Sequence, residues 1–241
     1  MKENMDRIRQ RMKQAAVNSN RQEHEIQLLL ATKTVAAEAI KEALLHGSTL
    51  IGENKVQELK EKFSALQDIP HQTHFIGYLQ TNKIKEVLKY ASCIQSVDRL
   101  NLAEKIDSQL QKEGRSIDIM LQVNTSRESS KFGVAPEELL TFAGEVSRYD
   151  TLQVKGLMTI GLFSGEDEKV RHCFKLLKEK QAQLDALDLP NCSAKELSMG
   201  MSSDLEIAIE EGATIIRVGT AVFGNRSYPD SYYWNENKSI Q

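Results

Sequence analysis

Short apolar runs alternate with amphipathic segments along most of the chain. Eight runs are rich in aliphatic residues and bounded by polar sequence, which is typical of buried strands. Between them, apolar residues recur at spacings of three and four, which predicts helices. The predicted strands cover residues 26–32, 49–54, 74–77, 93–97, 117–124, 154–160, 195–199 and 214–218. A further amphipathic helix is predicted over residues 1–20, before the first strand.

Strict alternation of strands with helical connections implies parallel pairing, because each strand must return to the same edge of the sheet. Eight such units in 241 residues match the size of a (β/α)8 barrel. We therefore predict an α/β fold, a single TIM barrel with an additional N-terminal helix. The alternative is a doubly wound open sheet, but no Gly-x-Gly-x-x-Gly follows the first strand.

The domain organisation is predicted to be simple. No Pro-rich or Ser-rich linker interrupts the alternation, so residues 1–241 are expected to form one domain. The polar and aromatic residues 226–241 show no clear periodicity and are expected to form a surface tail.

Composition and charge narrow the function classes. The formal net charge is -3, which does not favour a nucleic-acid partner. The three cysteines, Cys93, Cys173 and Cys192, are widely spaced and include no Cys-x-x-Cys, so we expect neither disulfides nor a metal site. No apolar run reaches the length of a membrane span, so we expect a cytoplasmic protein without a membrane partner.

Candidate chemistry collects at the C-terminal strand ends, which meet at one mouth of such a barrel. Lys33 directly follows the first apolar strand and has no acidic neighbour in sequence. A buried lysine is costly unless it has a use, although a lysine that enters solvent at the strand end is an alternative. Polar residues at the other strand ends include Glu53, Asn54, Ser96, Asp98, Asn124, Thr159, Ser198 and Arg217.

The loops after strands seven and eight suit a phosphate. Residues 198–204 combine glycine, serines and the start of a helix, and residues 219–220 add Gly-Thr. Backbone N–H groups can approach an anion closely there, and barrels favour this position for phosphate. The alternative is that Ser202, Ser203 and Asp204 only cap the helix that follows.

A lysine and a phosphate pocket at one mouth indicate a phosphorylated aldehyde held as a Schiff base. Pyridoxal 5′-phosphate (PLP) fits this description, with its aldehyde on Lys33 and its phosphate on the late loops. Arg217 would then lie near the pyridine nitrogen. A permanently charged arginine donates a hydrogen bond there and discourages ring protonation, which makes the ring a weaker electron sink.

Six motifs, in order along the chain, resemble the pyridoxal phosphate homeostasis protein family. They are ATKT at 31–34, IGENKVQE at 51–58, HFIGYLQTNK at 74–83, GLM at 156–158, LSMGMSSD at 197–204 and RVGTAVFG at 217–224. The resemblance implies a barrel like the N-terminal domain of alanine racemase, with PLP bound to Lys33. The other positions that it implies as cofactor-binding are Asn54, Ser198, Met199 through its backbone, Ser202, Arg217, Gly219 and Thr220.

The function that the resemblance implies is storage or delivery of PLP in vitamin B6 homeostasis, without a firm catalytic activity. Apo PLP-dependent enzymes are the expected recipients, and we expect a monomer. Lys131 lies where the family keeps a lysine after strand five. A second, transient PLP contact there is one interpretation, and a surface lysine is the other.

Two alternative functions remain open at this point. A PLP-dependent amino-acid racemase needs two opposed acid/base groups, and beside Lys33 only His74 and Tyr78 are candidates for the second. A PLP-free Schiff-base aldolase needs an acid or a second lysine deep in the barrel, and Glu53 is the one tempting acid among the strand ends.

Overall fold

The computed structural model describes residues 1–162 and 164–224, and the predicted tail at 226–241 lies outside them. The strands are β1 (Gln27–Ala31), β2 (Leu50–Glu53), β3 (Gln72–Phe75), β4 (Cys93–Val97), β5 (Ile117–Gln122), β6 (Leu152–Met158), β7 (Cys192–Ser198) and β8 (Ile215–Val218). They form a closed barrel of parallel strands in chain order, and β1 pairs with β8. The predicted (β/α)8 barrel is confirmed.

Helices connect the strands and surround the barrel. They are α1 (Lys2–Asn18), α2 (Ala37–Leu45), α3 (Val56–Leu66), α4 (Ile84–Val87), α5 (Leu100–Glu113), α6 (Leu139–Val146), α7 (Asp167–Asp185), α8 (Leu205–Glu210) and α9 (Thr220–Phe223). Short 3-10 turns cover Glu23–Glu25 and Thr81–Lys83. The predicted N-terminal helix is confirmed as α1.

Predicted boundaries of β3, β5, β6 and β7 were wrong by two or three residues, and the starts of β3 and β7 show the reason. β3 begins at Gln72, two residues before the predicted start, because Gln72 already pairs with Leu50. β7 begins at Cys192, three residues early, because it pairs with Val154. In both cases polar residues at the start of the strand concealed the pairing that the neighbouring strand imposes.

The strands are buried on both faces, so the molecule has two apolar layers. Successive side chains of a strand point to opposite faces. Leu30 of β1 therefore packs outward beneath the helices, and Leu29 packs inward. The inward layer consists of Leu29, Leu50, Ile76, Cys93, Met120, Met158 and Ile215. This double burial explains why the strands are nearly continuous apolar runs in the sequence.

Helix α1 packs along α8 and α9 through one apolar face. The buried residues of that face are Met5, Ile8, Met12, Ala15 and Ala16. Just after α1, the guanidinium of Arg21 donates to the carbonyls of Ile209 (2.9 Å) and Ala213 (2.7 Å). A cation is favoured there, because the C-terminus of a helix carries the negative end of its dipole. No helix among the described residues is long and apolar enough to cross a membrane.

Strands β6 and β7 lie close together at Gly156. A Cβ atom at Gly156 would lie 1.8 Å from the carbonyl oxygen of Glu196 on the neighbouring strand. No side chain can be accommodated at that distance unless the strands separate, so Gly156 sets their approach.

We predict that Gly156→Ala lowers the free energy of unfolding by about 3 kcal/mol, because the added methyl forces the strands apart. Gly144→Ala is the matched control. Gly144 lies in α6, and a Cβ added to it would meet no neighbouring atom within 4 Å, so alanine there should stabilise the helix by about 1 kcal/mol. Urea unfolding midpoints measure both. Equal midpoints for the two variants would contradict the proposed crowding at Gly156.

Candidate functional site

The structure brings Lys33 and Arg217 together at the C-terminal end of the barrel. β1 and β8 are neighbours, with Leu29 opposite Arg217. Leu29 and Ala31 face the barrel interior, and Lys33 lies in the turn that directly follows the end of β1. Lys33 is only 6% exposed and Arg217 only 5%. Both residues are therefore shielded from solvent, and they belong to neighbouring strand segments near one end of the barrel.

Arg217 is held rigidly by hydrogen bonds from two of its nitrogens. Nη1 donates to the hydroxyl of Ser198 (2.8 Å), and Nη2 donates to the backbone carbonyl of Thr159 (2.7 Å). Burial lowers the pKa of Arg217 to about 10, while the nearby carboxylate of Asp204 acts to raise it. The guanidinium therefore stays charged at neutral pH, in an orientation that its neighbours determine.

A chain of buried side chains continues from Arg217 across the barrel. The Ser198 hydroxyl donates to Oε1 of Gln95 (2.7 Å), and Nε2 of Gln95 lies 2.7 Å from Nδ1 of His74. Burial lowers the pKa of His74 to about 4, so its ring is neutral and Nδ1 accepts the hydrogen bond. We call Arg217, Ser198, Gln95 and His74 the interior network. Each member donates a hydrogen bond to the next, from Arg217 towards His74.

Two of the predicted phosphate contacts are already engaged within the protein. The Ser198 hydroxyl donates one hydrogen bond and accepts another in the interior network. The Met199 N–H donates to the carbonyl of Ile215 at 3.2 Å. The structure thus places both residues beside the mouth, and their contacts with a phosphate stay predictions.

The loop after β7 is closed by Asp204. Gly200 adopts a left-handed φ of 86°, and the N–H of Met201 donates to Oδ1 of Asp204 at 2.5 Å. Asp204 precedes α8 but makes no side-chain hydrogen bond that caps it. Asp204 therefore occupies the N-cap position of α8, while its carboxylate closes the preceding loop at Met201. Burial raises the pKa of Asp204, although the Met201 N–H and Arg217 act against that shift.

Gly219 and Thr220 begin α9 directly after β8. Among the described residues, the N–H groups of these two have no hydrogen-bond acceptor. N–H groups at a helix start are suited to bind an anion. These two N–H groups are therefore donors that the protein leaves available at the predicted phosphate site.

Helix α1 braces both late loops. Nη1 of Arg11 donates to the carbonyl of Ser202 (3.0 Å), and its Nε pairs with Glu206 at 2.6 Å. Nδ2 of Asn4 donates to the carbonyl of Val222 in α9 (3.1 Å). The additional helix therefore supports the backbone of the loops that carry Ser202 and Thr220.

Asn54, at the end of β2, presents a buried polar atom that needs a partner. Its side chain is only 4% exposed, and its Oδ1 has no hydrogen-bond partner among the described residues. Gly77 packs against its backbone so closely that a Cβ there would lie 2.1 Å from the Asn54 carbonyl oxygen. Buried polar atoms are rarely left unpaired, so an orphaned oxygen at a barrel mouth is consistent with a ligand.

Aromatic and basic side chains form the opposite rim of the mouth. The rings of Tyr78 and Phe132 stack at 4.2 Å, and the guanidinium of Arg99 lies 4.4 Å from the Tyr78 ring centre. The Lys131 ammonium donates to the carbonyl of Gly161 (2.6 Å) and pairs with Glu128. Lys131 is thus partly committed to protein contacts, and a second ligand contact there stays a prediction.

Several residues that organise the site were not apparent from the sequence. Gln95 and the Thr159 carbonyl fix the interior network, and Lys62 of α3 reaches the end of β1 with its ammonium 2.8 Å from the Thr32 carbonyl. A signal for Gln95 did exist. It is a polar residue in the middle of a buried strand, on the same face as Cys93 and therefore directed inward.

Comparison with known proteins places the chain among PLP-related barrels. The family model described as alanine racemase, N-terminal domain, matches residues 1–227. A pyridoxal phosphate homeostasis protein of Aquifex aeolicus is 41% identical over 226 residues, which cover 94% of this chain and 98% of that protein.

Solved structures agree with that assignment. An unknown protein from Bifidobacterium adolescentis has a TM-score of 0.88 at 34% identity, covering 92% of this chain and 94% of that one. PipY of Synechococcus elongatus PCC7942, with PLP bound, has a TM-score of 0.78 at 34% identity, covering 89% of this chain and all of that one. With its sequence matched over nearly its full length, the chain belongs to the pyridoxal phosphate homeostasis protein family, built on the domain described as the alanine racemase N-terminal domain.

Proposed function

We propose that this protein binds PLP as a Schiff base on Lys33 and serves PLP homeostasis and supply without catalytic turnover. The observation that carries the proposal is the pairing of β1 with β8, which places the buried residues Lys33 and Arg217 near one end of the barrel. The PLP-bound PipY structure and the homeostasis proteins among the relatives support PLP as the ligand.

The residues present fit the cofactor. Lys33 would bind its aldehyde carbon, and the available N–H groups of Gly219 and Thr220 would hold its phosphate. Arg217 would face the pyridine nitrogen, and the orphaned Oδ1 of Asn54 would meet the ring substituents. Ser198, Met199 and Ser202 would complete the phosphate side from the β7 loop.

PLP supplies an electron-accepting ring when it is bound, and the protein determines how strongly that ring acts. Arg217 is held as a permanent hydrogen-bond donor by Ser198 and Thr159. A cation next to the ring nitrogen opposes its protonation. Arg217 would therefore keep the ring a weak electron sink, which suits holding the cofactor more than turning over a substrate.

One of the two candidates for a second acid/base group, His74, is committed elsewhere. His74 is neutral, and its Nδ1 accepts a hydrogen bond inside the interior network. The Tyr78 ring contacts both Phe132 and Arg99 on the rim. Because racemisation needs an acid/base group on each face of the substrate α-carbon, these contacts support the carrier over the racemase.

The cellular setting forms part of the same proposal. In this proposal the protein is a cytoplasmic monomer that passes PLP to apo PLP-dependent enzymes. Its three free cysteines are consistent with a reducing compartment.

We predict that Lys33→Ala abolishes the visible absorbance that the wild-type protein gains with PLP, because no amine remains at the end of β1 to bind the aldehyde. Lys131→Ala is the control and should keep that absorbance, since Lys131 contacts Gly161 and Glu128 on the rim. Borohydride reduction followed by peptide mass analysis locates the modified lysine. A wild-type protein that takes up no PLP would refute the proposed function.

We predict that Thr220→Ala weakens PLP binding by about tenfold, because the variant loses the hydroxyl as a second donor to the charged phosphate while it keeps the N–H. Binding of pyridoxal, which has no phosphate, should stay unchanged. Thr141→Ala, on the exposed face of α6, serves as the control. Titration by absorbance gives both dissociation constants. Equal weakening for PLP and pyridoxal would remove Thr220 from the phosphate site.

We predict that PLP-loaded protein produces no D-isomer from single L-amino acids, because His74 is neutral and bonded within the interior network and the Tyr78 ring is stacked on Phe132 at the rim. Chiral chromatography after prolonged incubation measures the product, with a known alanine racemase as the positive control. D-isomer that forms with wild-type protein and not with Lys33→Ala would establish the racemase alternative instead.

A further inference from the structure

We propose that Glu58 and Lys62 of α3 are positioning residues that hold the backbone on both sides of Lys33 and thereby direct its amine into the mouth. We call this pair the α3 clamp. The inference rests on the proposed function, because it assigns a role in attaching PLP to Lys33. It adds two residues outside the barrel that do not touch the cofactor.

The α3 clamp binds both peptide groups that flank Lys33. The Lys62 ammonium donates to the carbonyl of Thr32 at 2.8 Å, in the peptide group before Lys33. The Glu58 carboxylate accepts from the N–H of Thr34 at 2.5 Å, in the peptide group after it. Lys62 and Glu58 also pair with each other at 2.8 Å, so the two contacts form one unit.

The backbone at Thr34 shows why such a clamp is needed. Its φ is 63°, in the left-handed region that β-branched residues avoid. A conformation of this kind persists only when the surroundings impose it, and such positions cluster at functional sites. The hydrogen bond from the Thr34 N–H to Glu58 identifies the contact that stabilises this turn.

Glu53 anchors the clamp from the barrel side. It is 1% exposed, pairs with Lys62 at 2.7 Å and accepts the Thr32 hydroxyl at 2.5 Å. Burial raises the pKa of Glu53, and the Lys62 ammonium opposes that shift. Because Glu53 lies on β2 and Thr32 follows β1, Lys62 is fixed against two strands at the point where Lys33 leaves the barrel wall.

The chemical step that the clamp would affect is the attachment itself. The neutral Lys33 nitrogen forms a bond to the aldehyde carbon, and the aldehyde oxygen leaves as one water molecule with both amine hydrogens. Such a step depends strongly on the placement of the attacking atom, and small displacements caused from outside the reacting centre are costly. Binding of the phosphate and ring, by contrast, does not require the Lys33 amine.

The test therefore separates attachment from non-covalent binding. Attachment is the rate at which visible absorbance rises after mixing with PLP. Non-covalent binding is the dissociation constant of pyridoxine 5′-phosphate, which lacks the aldehyde. The test variants are Glu58→Ala and Lys62→Met, the conservative variant is Glu58→Gln, and the controls are Glu61→Ala and Lys60→Met on the exposed face of α3.

We expect Glu58→Ala and Lys62→Met to slow attachment by about tenfold or more, with pyridoxine 5′-phosphate affinity within about twofold of wild type. Glu58→Gln should recover most of the rate, because its amide oxygen still accepts the Thr34 N–H. Both controls should match wild type. Lys62→Met leaves Glu53 unpaired in the interior, so Glu58→Ala carries the test if that variant fails to fold.

Three results would overturn the clamp. The first is attachment at the wild-type rate in Glu58→Ala, and the second is equally slow attachment in Glu58→Ala and Glu58→Gln. The third is a loss of pyridoxine 5′-phosphate affinity as large as the loss of rate, which would mean a general structural role. A wild-type protein that forms no linkage on Lys33 would overturn the proposed function as well, so the two failures are distinguishable.

Discussion

The arrangement of the barrel interior depends on accommodating one buried positive charge, the guanidinium of Arg217. A charge inside a protein is costly unless it is paired and hydrogen-bonded. Here the Ser198 hydroxyl and the Thr159 carbonyl accept from it directly, and Asp204 lies close enough to favour its charged form. Gln95 and His74 then satisfy the remaining groups across the barrel, so a polar layer replaces apolar packing just below the mouth.

A second polar arrangement, the ion pair of Glu53 and Lys62, lies on the outer side of the barrel wall. Glu53 and Lys62 pair between the barrel wall and α3, and the ammonium reaches the backbone beside Lys33. Lys33 therefore emerges between two rigid polar arrangements, one inside the barrel and one outside it. Rigid support of this kind suits a residue whose side chain must reach a defined point in a ligand site.

Helix α1 extends the same support to the late loops. Through Arg11 and Asn4 it bonds to the backbone of Ser202 and Val222, which flank the region where a phosphate is proposed to bind. Three structural supports therefore surround the proposed site. The supports are the interior network, the α3 clamp and the additional helix.

The sequence by itself determined the order of strands and helices, because apolar periodicity reports burial directly. It also identified Lys33 and Arg217, since a charged residue at the end of an apolar strand is conspicuous. It did not reveal the start of β3 or β7, where Gln72 and Cys192 are in the sheet only because a neighbouring strand pairs with them.

What only the tertiary structure decided is which polar groups are available and which are already bonded. Ser198 and Met199 look like free phosphate donors in the sequence, yet the fold engages both, whereas the amides of Gly219 and Thr220 keep no acceptor among the described residues. Gln95 bonds to Ser198, which is 103 positions away in the sequence. Lys62 bonds to Thr32, which is 30 positions away. No local pattern encodes such partners, because closure of the barrel brings them together.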